Sequence, residues 1–168
     1  MPLSMYQVSV PVFVRGLTAL SGLLRKGEAH AAEAGLDPAE LIGARLAPDM
    51  LPLSAQVQRA SDTSKLSGAR LSGVAAPPFA DTEASFPELQ DRITRTIAYL
   101  ESLPEAAFEG SEGRTIELAF GTYKPRFTGE SYLLTFALPN FFFHVTTAHD
   151  LLRHKGVAIG KSDYLGGR

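Results

Sequence analysis

The 168-residue sequence contains no cysteine. Disulfides, thiolate metal sites and cysteine nucleophiles are thereby excluded. No charge of one sign predominates: 16 Lys and Arg stand against 18 Asp and Glu, for a formal net charge of -2. That balance argues against a dedicated nucleic-acid surface or a polybasic membrane surface, and the basic run around Arg126 is too short for a nucleic-acid footprint. Long hydrophobic runs are missing as well. The stretch from Tyr132 to Val145 is too short to span a bilayer and contains Pro139, Asn140 and His144. The N-terminal apolar segment has no basic leader and is interrupted by Arg15, so it reads as no signal peptide, and the chain as cytoplasmic with no membrane partner. The sequence carries no G-x-S-x-G elbow, no P-loop, and no G-x-G-x-x-G that follows a strand and opens a helix.

What is present is a hydrophobic content of 45 %, enough to fill a core, in a length that suits one domain over residues 1–168. Val10, Phe13, Val14, Leu17, Leu20 and Leu24 recur at helical spacing and predict a first helix between about Ser4 and Ala34, closed by Gly35. Pro11 marks its first turn or a kink. Asp37-Pro38 opens a short turn or helix. Asp49 is positioned to cap a second helix reaching about Leu71, with Leu53, Val57 and Ala60 on its buried face and Pro52 in its first turn. Ser85 and Glu88 form a capping-box pair at the head of a third helix, whose stripe is Leu89, Ile93, Thr96, Ile97 and Leu100. Arg15, Arg92 and Arg95 are expected on helix exteriors. Two strand-like runs, Arg114–Phe120 and Tyr123–Thr128, turn at Gly121-Thr122 and predict a hairpin. A last helix from about Glu130 to Lys155 contains Pro139, which should kink it, and ends at Gly156. The tail beyond reads as extended. The predicted fold class is therefore all-α: a four-helix bundle with a short β-hairpin inserted before the last helix.

The stretches Ala44 to Asp62, Leu138 to Gly166 and Met5 to Leu17 resemble a family known only as a domain of unknown function, which in turn resembles the DinB/YfiT-like metalloenzyme superfamily. The resemblance implies a DinB-like four-helix bundle. It also implies a site of three histidines, one from the second helix and an H-x-x-x-H pair from the last. This sequence departs from that pattern. His144 matches one position of the pair, but Ala148 stands four residues later and His149 one position too far. The second helix has no histidine.

Asn140, His144 and Thr147 share one stripe of an otherwise apolar helix, and polar groups there need partners or water. The stripe is either the floor of a small-ligand pocket, with or without His144 as a metal ligand, or a buried polar network or polar helix edge. Any metal would be a divalent ion such as zinc or nickel; no cofactor is certain. Gln56 lies two turns after Asp49 on the same side of its helix, so both are candidates to face one cavity with His144. Their separation of about 10 Å along the axis rules against a shared ion. His149 points about 140° away from His144. Asp150 and His154 have the spacing of an i,i+4 pair. His30 reads as a surface histidine or a fourth pocket candidate, and Tyr6 and Tyr164 as bundle-mouth phenols or packing residues. Phe141, Phe142 and Phe143 point in three directions, which suits a homodimer. Three functions compete: a metal-dependent enzyme of DinB-like type, hydrolase or thiol transferase; a small-ligand or structural domain without the metal; and an association module.

Overall fold

Helical periodicity and local caps set the long elements. The computed structural model describes residues 3–166. Helix α1 is Val10–Ala34, with Pro11 in its first turn and Gly35 closing it at φ 64°. Pro11 therefore opens the helix and does not kink it. Asp37 caps the short α2, Pro38–Ile42, by accepting from the Ala39 N–H. Helix α3 is Leu53–Ser72. Here the expected cap fails: Pro52 occupies the N-cap position without a side-chain hydrogen bond, and Asp49 lies exposed in the preceding turn. The extended backbone of Pro52 stops the helix from reaching back to Asp49.

Helix α4, Phe86–Glu101, begins as expected, with the Ser85 Oγ accepting from the Glu88 N–H. The Glu88 carboxylate accepts in return from the Ser85 hydroxyl and the Ala84 N–H, contacts that lower its pKa, the Ala84 bond most. Two 3-10 turns, Glu105–Phe108 and Ser111–Gly113, lead to the hairpin of β1, Thr115–Glu117, and β2, Arg126–Thr128. The strands pair antiparallel with Ile116 opposite Phe127, and a bridge between Phe120 and Tyr123 extends the ribbon to the expected turn.

The last helical stretch runs through α5, Gly129–Tyr132, a π turn, Leu133–Ala137, and α6, Leu138–His154. Pro139 has no N–H for the Thr135 carbonyl, and its ring would crowd that oxygen in an α-helix. The π turn immediately before it absorbs the conflict. Gly129 begins this stretch because a Cβ there would run into the carbonyl oxygen of Ser111, which is backbone and cannot rotate aside. The tail is not wholly extended: Val157 and Ile159 are buried, and Lys161–Tyr164 forms α7 against α1, tied by the Lys26–Asp163 ion pair.

Helices α1, α3, α4 and α6 make the bundle. Each of α1 and α3 packs beside both α4 and α6, so α1 lies across from α3. The chain crosses the bundle twice, through α2 and again through the hairpin region. Phe13, Leu17, Leu20, Val57, Leu89, Phe141 and Val145 are among the side chains filling the core.

Arg92 corrects the sequence reading. It is fully buried, and does not sit on the outside of α4. Its Nη2 binds Asp62 at 2.9 Å, and its Nη1 reaches Asp81 at 2.9 Å, Glu83 at 3.1 Å and the Ala80 carbonyl at 3.1 Å. Its Nε donates to the Ser61 hydroxyl. The guanidinium thus fastens the irregular segment between α3 and α4 to both helices. Phe79 of that segment lies among Lys65, Arg92 and Arg95, with the Lys65 ammonium 4.1 Å from its ring centre.

Candidate functional site

Polar side chains of the last helical stretch meet α3 at three points. His144 Nδ1 lies 2.7 Å from Gln56 Oε1. The Asn140 amide donates to Thr63 Oγ1 at 2.8 Å. The Tyr132 hydroxyl meets Ser67 Oγ and accepts from Arg70 Nη1, each at 2.9 Å. The register follows from spacing. Gln56, Thr63 and Arg70 recur every seven residues on α3, and His144, Asn140, Phe136 and Tyr132 every four on the facing stretch. In an ideal α-helix, Tyr132 would drift about 80° from Asn140. The wider π turn between them takes up that drift and returns Tyr132 to the seam.

At the inner pair, Gln56 Nε2 donates to the Leu51 carbonyl at 3.0 Å. Its Oε1 therefore faces His144 as an acceptor, and His144 carries its proton on Nδ1. Burial, reinforced by the positive charge of Arg59, lowers the His144 pKa from 6.5 to about 4. The ring is neutral at pH 7. Nε2 keeps a lone pair, has no hydrogen-bond partner among the described residues, and retains some exposure. Thr147 turns its hydroxyl back to the Phe143 carbonyl at 2.7 Å. The expected stripe is thus inward-facing, but its inner part is filled by hydrogen-bonded partners.

A cleft opens at the outer part. It has a volume of about 240 Å³ and is bordered by Asn140, Thr63, Arg70, Tyr132, Phe136 and Phe120, together with Arg59 and Asp62. Of the candidates named from sequence, Asn140 borders it and Gln56 joins His144 on the same seam. Asp49, exposed before α3, makes no side-chain hydrogen bond among the described residues and joins neither. Asp150 bonds His149 at 2.8 Å and not His154, because neighbouring side chains meet here before the next turn is reached. His30 is half-buried and lies beside Gly156. Tyr6 packs edge-on against Phe108, and Tyr164 accepts from Thr146, so neither phenol enters the cleft. Arg70 and Tyr132 were not singled out from sequence. The signal for them was the seven-residue series on α3 and the four-residue series on its partner.

The donor set does not fit a metal. Gln56 offers its carbonyl oxygen to His144, Ala148 supplies no donor, and His149 belongs to another face. Among the described residues, no group of three or more His, Asp or Glu side chains is placed to hold an ion. Coordination requires several donors within about 2–2.3 Å of one centre. No described helix is long and apolar enough to cross a membrane.

Comparison with known proteins agrees with the bundle. The family model described as "Domain of unknown function (DUF1993)" matches residues 5–165. The crystal structure of a DinB family member protein from Shewanella denitrificans is similar over 98 % of this chain and 93 % of that one, with 38 % identity and a TM-score of 0.90. No curated protein matches.

Proposed function

We propose, for a chain that belongs to the DUF1993 family and has the fold of a DinB family member, a small-ligand-binding role centred on the α3–α6 cleft and independent of a bound metal. The observation that carries this reading is the Gln56–His144 hydrogen bond. It occupies the inner seam, and the cleft lies from Asn140 outward. His144 then serves as a neutral wall of the seam that orients Gln56. Cytoplasmic residence belongs to the same reading.

Two measurements test it. Full-length protein dialysed after exposure to Zn²⁺ or Ni²⁺ is expected to retain far less than one equivalent. Amide chemical-shift mapping with a small set of carboxylates, amides and amines is expected to move residues around Asn140, Thr63 and Arg70. One retained equivalent, lost on His144→Ala in a folded variant, would instead establish the metal-dependent alternative.

A homodimer is a separate proposal, supported by Phe143. Phe141 fills the core, while Phe143, two residues along, is 55 % exposed. Sedimentation velocity is expected to show a concentration-dependent dimer weakened by Phe143→Ser; a monomer at all concentrations discards it.

A further inference from the structure

We infer that the cleft takes a small planar aromatic carboxylate, anchored by Arg70 at its charged end and by Phe120 and Phe136 along its ring. The inference rests on the cleft being the ligand site and names what enters it. Size restricts the ligand first. At about 240 Å³ the cleft is below the usual range for drug-sized sites, so it suits one ring with one or two substituents.

The walls select planarity. Phe136 lies 5.8 Å from Phe120 at a 43° tilt and 5.9 Å from Tyr132 at 24°. These aromatic side chains border one space, and offset or edge contacts with a further ring extend the cluster. Phe120 reaches it from the hairpin and is 51 % exposed, an apolar surface that a bound ring would cover.

Charge selects the carboxylate. Arg70 forms no ion pair among the described residues; Nη1 donates to the Tyr132 hydroxyl at 2.9 Å. Its remaining N–H groups form the planar fork that matches a carboxylate. Asp62 borders the same cleft, but its Oδ1 is held by Arg92 at 2.9 Å and Lys65 at 3.2 Å. Arg59, which also borders the cleft, is paired with Asp81 at 3.4 Å and lies 4.0 Å from Asp62. Arg70 is therefore the cation without a carboxylate of its own. Asn140 spends its amide N–H on Thr63, leaving Oδ1 to accept from a ligand hydroxyl.

The test is a chemical-shift titration of the full chain with benzoate, cyclohexanecarboxylate and benzylamine. Benzoate is expected to give saturable shifts around Asn140 and Phe120, cyclohexanecarboxylate weaker ones, and benzylamine none there. Arg70→Gln should weaken benzoate by roughly tenfold or more, and Arg70→Lys by less. Phe120→Ala removes an exposed side chain and should weaken it by roughly threefold without loss of fold. Benzylamine binding the cleft as well as benzoate, or unchanged benzoate affinity in folded Arg70→Gln, overturns the inference while leaving a ligand site. Should Arg70→Gln not fold, unchanged affinity in Phe120→Ala overturns it. If none of the wider carboxylate, amide and amine set moves cleft residues, the ligand-site reading falls too.

Discussion

Replacing Arg92 with leucine is expected to destabilise the protein by about 3–5 kcal/mol, the range for removing one partner from a buried ion pair. The reason lies in what remains. Glu83, whose side chain is 7 % exposed, would keep only Gln58 as a nearby donor. Asp62 would keep Lys65 and a distant Arg59, and the Ala80 carbonyl would lose its donor. Arg92→Lys retains charge but cannot place donors on Asp62, Asp81, Glu83 and Ser61 together, so it should recover only part of the loss. Adding Glu83→Gln to Arg92→Leu should also recover part, because it removes one uncompensated charge. Urea unfolding followed by circular dichroism measures all of these. A loss below about 1 kcal/mol for Arg92→Leu, the level of an exposed pair, would show that the network is not a clamp. Limited proteolysis should cut Arg92→Leu first between Gly73 and Ser85, where the segment loses its anchor.

Acid should weaken the fold through His144. Its folded pKa of about 4 lies below the ordinary 6.5, because burial and then Arg59 oppose the charged ring. The unfolded chain therefore takes up this proton first as the pH falls. The stabilising contribution is complete above pH 6.5 and is lost progressively toward pH 4. The gap corresponds to at most about 3 kcal/mol, and solvent reaching Nε2 screens part of it. His144→Gln is the comparison, since it has no proton to gain. Unfolding free energies at several pH values should decline more steeply for wild type than for His144→Gln across this window. Parallel declines, or a His144 ring titrating near 6.5 by NMR, would refute the assignment.

Local features were legible to the degree that their determinants lie within a few residues. Ser85 with Glu88 announces α4, Gly35 and Gly156 announce helix ends, and Gly121-Thr122 announces the hairpin turn. Asp49 shows the limit of that approach: its residue type suits a cap, but the backbone at Pro52 starts α3 too late for it. Pro139 predicts a conflict, and its resolution as a π turn has no equally clear local signature. The inward stripe of Asn140, His144 and Thr147 follows from helical spacing, whereas their separate partners do not. Thr147 turns to its own helix, His144 to Gln56, and only Asn140 reaches the cleft.

By itself the sequence determined the long helices, the hairpin and the absence of cysteine side-chain chemistry, because periodicity, caps and composition are properties of neighbouring residues. Only the tertiary structure decided that α3 faces α6, that Arg92 is enclosed, and that an open cleft begins at Asn140. Asp62 and Glu83 lie thirty and nine residues from Arg92, and Gln56 lies eighty-eight from His144. Burial and hydrogen bonding at such separations depend on which helices become neighbours, and packing of the whole bundle makes that choice.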